Sequence, residues 1–159
     1  MTVRPAAQTD IPTAECQLAV HPEDLATHFT IRHAVFVAEQ GLFEREDRDE
    51  RDHDPQTRHV LAWLGETAAG TVRFYPLEEP GTWKGDRLAV LPAHRRHGVG
   101  APLVRYAVAT AASLGGRQMV AHIQPQNVAI FRRLGWHEAG GLVSYAGRPH
   151  QLMAIGLAS

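Results

Sequence analysis

A basic loop followed by two closely spaced glycines is the feature that most constrains the fold of this chain. Residues Trp83–Leu91 are rich in strand-forming side chains, and Pro92 closes this segment. The loop continues as Arg95-Arg96-His97-Gly98-Val99-Gly100, and apolar positions at helical spacing follow as far as Leu114. Glycine lets an anion approach the backbone closely, and the N–H groups at a helix N-terminus are free to bind it. The segment therefore predicts a strand, an anion-binding turn and a helix.

Two arginines strengthen the prediction of an anion site at this turn. A helix N-terminus alone contributes about 0.3–1 kcal/mol at an exposed site, whereas the guanidinium groups of Arg95 and Arg96 can each bind two phosphate oxygens. A dinucleotide-binding fingerprint would need a third glycine where Leu103 stands, and a nucleotide-triphosphate loop would need Gly-Lys-Ser/Thr. A glycine turn selected only for tight packing, with solvated arginines, remains open.

Metal binding is not predicted from the sequence. His94 and His97 lie in the basic loop, but a catalytic zinc needs three protein ligands and the loop offers no evident third. A calcium loop counted from Asp47 would need glycine where Asp52 stands and glutamate where Arg58 stands.

The rest of the pattern alternates between strands and helices. Predicted strands cover Gln17–Val20, His59–Leu64, Gly70–Leu77, Trp83–Leu91, Met119–Gln124, Leu142–Tyr145 and Gln151–Leu157. Predicted helices cover Pro22–Ala38, Val99–Leu114 and Val128–Leu134. We expect one mixed α/β domain over residues 16–159, after a flexible N-terminal leader of residues 1–15.

One segment, Glu44–Asp54, is dominated by charge. It contains seven acidic side chains and three arginines, with almost nothing apolar. Such a run is predicted to be a solvated loop or a short exposed helix that supplies no core. The alternative is a cation-attracting rim beside an amine-binding site.

Overall charge and cysteine content limit the partners and the compartment. The chain has 16 Lys+Arg and 17 Asp+Glu, so no global field would gather nucleic acid or an anionic membrane. Cys16 is the only cysteine, which excludes an intrachain disulfide and favours the reducing cytoplasm. Residues 1–15 lack the apolar run of a signal peptide or membrane span. A cytoplasmic protein without nucleic-acid or membrane partners is predicted.

Two motifs give the chain a resemblance to a known superfamily. The run Asp86–Ala101 is similar to the acetyl-CoA-binding motif of GNAT N-acyltransferases, in which Arg/Gln-x-x-Gly-x-Gly/Ala follows a strand ending in Val-x-Pro. Asn127 followed by Phe131–Trp136 looks like the family's stretch from Asn to Tyr/Phe-x-x-Leu-Gly-Phe. The resemblance, which covers roughly His59–Leu157, implies an α+β fold. Its central sheet would be mixed and mostly antiparallel, flanked by helices, with the fourth and fifth strands splayed to admit the pantetheine arm.

The N-terminal half carries a weaker likeness. The segment Arg32–Gln40, together with Asp47, Asp49, Asp52 and Arg58-His59, resembles a GNAT subgroup of unassigned substrate and, more distantly, acyl-homoserine-lactone synthases. Glu39-Gln40 and Gly85–Leu88 resemble a bacterial GNAT subgroup labelled nitrogen-starvation N-acetyltransferases, a label that names no substrate.

The resemblance also implies acetyl-CoA as co-substrate and assigns residues to it. Leu88, Ala89 and Val90 would offer backbone groups to the pantetheine and the thioester, and Asn127 and Phe131 would line the arm. The pyrophosphate would be held by the turn, whose residues are Arg95, Arg96, His97, Gly98, Val99, Gly100 and Ala101.

Acyl transfer to an amine needs a base, an oxyanion donor and an acid. The resemblance implies the Val90 N–H as the oxyanion donor. Regular strand alternation would put Asp86 on the same face as Leu88 and Val90, which makes Asp86 a candidate base. Glu39 and His122 are further candidates. A salt bridge at Asp86 and a hydrogen-bonded core position for His122 are the alternatives.

The acid is less clear because many relatives carry tyrosine where this chain has Phe131. Tyr145 or a water molecule could replace it. The thiolate could also leave unassisted, since a thiol has a pKa of about 8.5.

Together these patterns predict an N-acetyltransferase that moves acetyl from acetyl-CoA to a small-molecule primary amine by direct transfer through a tetrahedral intermediate. An acyl-homoserine-lactone-type synthase and a non-catalytic acyl-CoA-binding sensor are the alternatives. The acceptor is not predicted, and a homodimer is retained as an option.

Overall fold

The computed structural model describes residues 13–158, which build one seven-stranded sheet in the order β1-β2-β3-β4-β5-β7-β6. The strands are β1 Glu15–Leu18, β2 Arg58–Leu64, β3 Thr67–Pro76, β4 Thr82–Val90, β5 Gln118–Ile123, β6 His137–Tyr145 and β7 Arg148–Gly156. Neighbouring strands are antiparallel except β4 and β5, which are parallel. Residues 1–12 of the predicted leader lie outside the described residues, and β1 begins at Glu15, the last residue of that leader.

Helices cover both faces of the sheet. They are α1 Pro22–Arg32, continued by a π-helix at His33–Glu39, α2 Gly100–Ser113 and α3 Val128–Arg133. Short 3-10 helices occupy Glu50–His53, Pro92–His97 and Pro125–Asn127. Leu103 and Ala107 of α2 belong to the larger buried core, while Ile31 and Phe36 pack with Ala89 on the opposite face. None of the helices in the described part is long and apolar enough to cross a membrane.

The predicted first helix, Pro22–Ala38, is confirmed within one residue of its bounds, but its second half is not an α-helix. The α-helix ends at Arg32, and the chain widens into the π-helix, in which the Gln40 N–H donates to the Val35 carbonyl five residues earlier. Apolar spacing over so few turns cannot distinguish the two kinds of helix.

The prediction that Glu44–Asp54 is a solvated loop or a short exposed helix is confirmed for most of the segment, which includes the 3-10 helix Glu50–His53, but it is wrong for the side chains of Asp47 and Asp52. Asp47 is 2% exposed and the Asp52 side chain is fully buried, and both accept hydrogen bonds from the buried Arg32, at 2.6 and 2.7 Å. Arg73 of β3 and Arg87 of β4 also pair with aspartates of this segment. Charged side chains can be buried here because arginines and aspartates are buried as pairs of opposite charge that hydrogen-bond to each other.

Strands β4 and β5 separate after a short paired stretch. Their pairing is limited to Thr82–Lys84 against Gln118–Val120, yet the two strands continue to Val90 and Ile123. The predicted splay of the fourth and fifth strands is thereby confirmed.

A bulge at Arg87 overturns the expectation that Asp86 shares a face with Leu88 and Val90. Asp86 lies opposite Arg73 and Ala89 lies opposite Thr71, so two residues of β4 face one residue of β3 between these pairs. Directly opposed residues share a face of the sheet. Asp86 therefore faces the α1 side with Ala89, and Leu88 and Val90 face the α2 side, where both pack against the larger core.

Candidate active site

The gap between β4 and β5 opens into a cleft that several elements line together. Side chains from both strands, α2, the π-helix and the β6–β7 hairpin contribute, among them Phe36, Phe43, Asp86, Leu88, Ala107, His122, Asn127, Phe131, Tyr145 and His150. The structure thus brings Asp86, His122 and Tyr145, predicted from separate parts of the sequence, to one cleft. Phe131 is buried and packs edge-on against Trp136.

The glycine turn lies at the open edge of this gap. Because β4 and β5 are parallel, the turn after β4 and Asn127 after β5 lie at the same edge of the sheet. Gly98 has φ 65°, and a side chain added at Gly98 or Gly100 would meet nothing within 4 Å. Among the described residues no side chain caps α2. Its first backbone N–H groups therefore face open space, as an anion site requires.

The individual residues of the turn differ in what they can offer. Val99 is buried, so only its backbone can face a ligand. Arg96 is exposed and makes no ion pair within residues 13–158. His97 and Ala101 are half-buried.

Arg95 is already engaged. Its Nε donates to the Val90 carbonyl at 3.0 Å, and its two Nη atoms bind both carboxylate oxygens of Glu39 at 2.6 and 2.5 Å. The hydrogen bond from Arg95 lowers the pKa of Glu39 below its usual range. Glu39 is exposed and is not part of the cleft lining, so this candidate base lies outside the cleft.

The backbone of Val90 points into the gap. The Leu91 N–H donates to the Ala69 carbonyl of β3 at 2.9 Å. Successive residues of an antiparallel strand direct their N–H groups to opposite sides. The Val90 N–H therefore points away from β3, toward the space from which β5 has diverged.

Asp86 is held by an arginine. Its Oδ1 and Oδ2 accept from Arg73 Nε and Nη2 at 2.8 and 2.7 Å, and the Tyr75 hydroxyl lies 3.3 Å from Oδ2. The salt bridge considered as the alternative for Asp86 is present. Its role as a base stays a prediction, made less favourable because Arg73 already engages both of its oxygens.

His122 and Tyr145 form a stacked pair in the cleft. Their ring centroids are 5.1 Å apart with planes 8° apart. Burial lowers the pKa of His122 below its usual value, and the charges of Lys84 and His150 add to this effect. Its Nδ1 is buried and lacks a hydrogen-bond partner within the described part of the chain, so the expected hydrogen-bonded core histidine is not what the structure shows. The Tyr145 hydroxyl accepts from Arg87 Nη1 at 2.8 Å, which leaves its own proton available to donate.

Two residues of the site escaped the sequence-based prediction. Lys84 carries an ammonium group 5.1 Å from the centroid of the Tyr145 ring, and Arg87 binds the Tyr145 hydroxyl. Lys84 could have been noticed as the only lysine of the chain. No local pattern reveals the left-handed backbone of Arg87, whose φ is 52°.

The described residues form no cluster of metal-binding side chains. Between residues 13 and 158 no group of three or more His, Cys, Asp or Glu side chains is arranged to hold a metal ion. The rings of His94 and His97 lie 6.0 Å apart, centroid to centroid.

Comparisons with known proteins agree with this architecture. The Acetyltransferase (GNAT) family model matches residues 23–136. A candidate acetyltransferase of Bacillus subtilis is 32% identical over 132 residues, which cover 82% of this chain and 88% of that protein. The crystal structure of a candidate N-acetyltransferase from Lactobacillus plantarum superposes with a TM-score of 0.82 at 22% identity, covering 92% and 99% of the two chains. The CoA-dependent acyl-homoserine lactone synthase BjaI superposes with a TM-score of 0.74 at 20% identity, covering 92% and 83%.

The cleft between splayed strands and the uncapped helix beside it are those of an acyl-CoA-dependent acyltransferase. The chain belongs to the GNAT acetyltransferase family. The two solved structures, at their level of identity, establish the fold that this chain shares with them.

Proposed function

We propose that this protein transfers an acetyl group from acetyl-CoA directly to the primary amine of a small molecule in the cytoplasm. The observation that supports this most is the alignment of three features at one edge of the sheet. These are the open N-terminus of α2, the Val90 N–H that points away from β3, and a cleft that contains His122 and Tyr145. The choice of acetyl rests on the likeness of Asp86–Ala101 to the acetyl-CoA motif.

The coenzyme would lie across the mouth of the gap. The pyrophosphate binds the N–H groups at the start of α2, with Arg96 free to add a charge-assisted contact. The pantetheine arm follows the backbone of Leu88, Ala89 and Val90 and passes Asn127 and Phe131. This places the thioester beside the Val90 N–H.

The chemistry then needs two proton transfers. The neutral amine attacks the thioester carbonyl, and the Val90 N–H stabilises the resulting oxyanion, an effect worth about 10²–10³ in rate for one such donor. His122 accepts the proton that the amine loses, because its lowered pKa keeps it neutral. As the C–S bond breaks, Tyr145 donates its proton to the sulfur. Asp86 and Glu39 serve in ion pairs.

Release of free CoA thiol tests the activity. The protein is incubated with acetyl-CoA and separate amines (amino acids, polyamines, aminoglycosides and peptide N-termini), and the thiol is followed with a disulfide reagent. The protein's own background is low because burial raises the pKa of the Cys16 thiol to about 11. Amine-dependent release supports the proposal, whereas intact CoA binding without release by any amine would leave only the sensor function.

A charge reversal tests where the coenzyme binds. We expect Arg96→Glu to weaken CoA binding about tenfold or more in calorimetry, because it replaces a charge-assisted contact with repulsion. Arg117→Glu is the matched control, since this exposed arginine immediately precedes β5, at the opposite end of that strand from Asn127. Equal effects of the two substitutions would mean that the pyrophosphate site is misplaced.

The synthase alternative gains little support from the cleft. Of the residues that suggested it, Phe36 lines the cleft, whereas Arg32 and the aspartates form the buried ion network and are not part of the cleft lining. Production of an acyl-homoserine lactone on co-expression with acyl carrier protein would favour it over the present proposal.

A further inference from the structure

The only lysine of the chain lies where β4 and β5 separate. The chain contains 16 Lys+Arg, and Lys84 alone among them is a lysine, so a lysine-directed reagent can report on this one side chain. Lys84 pairs with Val120 at the last register position before the strands diverge. Its Nζ lies 5.1 Å from the centroid of the Tyr145 ring, which lines the cleft.

The ammonium group of Lys84 has no protein counter-ion. Within residues 13–158 its Nζ takes part in no ion pair and no hydrogen bond. The carboxylate nearest in sequence on the same strand face is Asp86, and Arg73 binds both of its oxygens. Burial lowers the pKa of Lys84 below its usual value. An unpaired charge in a partly buried position is unfavourable, and a bound carboxylate would offset that cost.

Part of the wall of this cleft is apolar. Phe36 of the π-helix, with Leu42 and Phe43 just after it, lines the same cleft as Tyr145. An acceptor that fits would present its amine to the thioester, its carboxylate to Lys84 and an apolar side chain to Phe36 and Phe43.

We infer that the acceptor is an amine that also carries a carboxylate, as in an α-amino acid with an apolar side chain, and that Lys84 selects it by binding that carboxylate. The inference rests on the proposed acetyl transfer and names the class of acceptor.

The experiment compares amine pairs that differ only in the carboxylate. L-leucine is paired with isoamylamine and L-phenylalanine with phenethylamine, and kcat/KM is measured by thiol release from acetyl-CoA. We expect the amino acid of each pair to be preferred about tenfold or more, the scale of one charge-assisted contact. Lys84→Met should abolish most of that preference, because it should lower kcat/KM for the amino acid more than for the decarboxylated amine. Lys84→Arg, which keeps the charge, should retain part of it.

A second measurement does not depend on turnover. Modification of Lys84 by trinitrobenzenesulfonate, located by peptide mass spectrometry, should be slowed by N-acetyl-L-phenylalanine and not by N-acetylphenethylamine, neither of which has a free amine that would consume the reagent. Equal use of both members of each pair, or equal loss of both in Lys84→Met, would overturn the inference and leave the acetyl transfer standing. Absence of thiol release with every amine would remove the proposed function and the inference with it.

Discussion

Arg87 connects the backbone of β4 to the chemistry of the cleft. Its Nη1 donates to the Tyr145 hydroxyl, its Nη2 donates to the Asp47 carbonyl at 2.8 Å, and its own carbonyl accepts from Thr71 Oγ1 at 2.9 Å. A left-handed backbone costs a non-glycine residue about 1–3 kcal/mol. These contacts hold Arg87 in that conformation, so the bulge and the orientation of Tyr145 depend on one another.

Removing the Tyr145 hydroxyl tests the proposed acid. Tyr145→Phe keeps the ring that stacks on His122 and removes only the oxygen, so Arg87 loses one contact and keeps those to Asp47 and Thr71. We expect kcat to fall about 10²-fold, within the usual contribution of general acid–base catalysis. Tyr106→Phe on α2 is the matched control. A kcat equal to that of the unchanged protein would assign the proton to water.

At the scale of secondary-structure elements, the sequence predicted the helices and strands whose apolar residues recur with a strong periodicity. Helix α2 and strands β2 to β5 lie within a few residues of their predicted bounds, because each has one buried face that the apolar pattern records. Strand β6 was predicted only from Leu142 although it begins at His137, since nearly all of it is exposed and carries no such pattern. The splay of β4 and β5 came from the family resemblance, because pairing between strands is not encoded in either one alone.

The end of the π-helix is tied to the phosphate turn by Glu39 and Arg95. The two side chains are 37% and 44% exposed, so the pair contributes only about 0–1 kcal/mol to stability. The ion pair does, however, occupy the guanidinium group of Arg95, which the pyrophosphate would otherwise bind. We therefore expect Glu39→Gln to tighten CoA binding by about two- to fivefold in calorimetry, with Glu46→Gln as an exposed acidic control. Weaker binding in Glu39→Gln would show instead that the pair shapes the turn.

Across the whole molecule, buried charges join the N-terminal half to the sheet. Arg32 of α1 contacts Asp52, and Arg73 of β3 contacts both Asp52 and Asp86 of β4. The sequence could not predict this network. Composition shows that Glu44–Asp54 is a run of charges, but it does not show which arginines, 15 to 40 residues away, pair with that run. The same limit applies to Lys84, whose neighbours come from distant strands.

The stability of the molecule should fall in mild acid because of one histidine of this interior. His28 is fully buried, its Nδ1–H donates to the Val60 carbonyl at 3.0 Å, and its Nε2 faces Arg32 Nη1 at 3.3 Å. Burial, followed by the charge of Arg32, lowers the pKa of His28 to about 2. In the unfolded chain a histidine has a pKa of about 6.5, so His28 binds a proton there at a higher pH than in the folded protein. The contribution of His28 to the free energy of unfolding is therefore complete above about pH 6.5 and is lost below it.

The free energy of unfolding should fall by about 2 kcal/mol between pH 7.5 and pH 5, because it changes by about 1.4 kcal/mol per pH unit below about pH 6.5. The pKa values of Asp49 and Asp52 are lowered, so these carboxylates stay ionised throughout that window and do not mask the effect. Urea unfolding at pH 5, 6 and 7.5 measures it, with His28→Gln expected to flatten the pH dependence and the exposed His33→Gln expected to leave it unchanged. A free energy of unfolding that does not change between pH 7.5 and pH 5 would contradict the assignment of His28 as a neutral, buried link between α1 and β2.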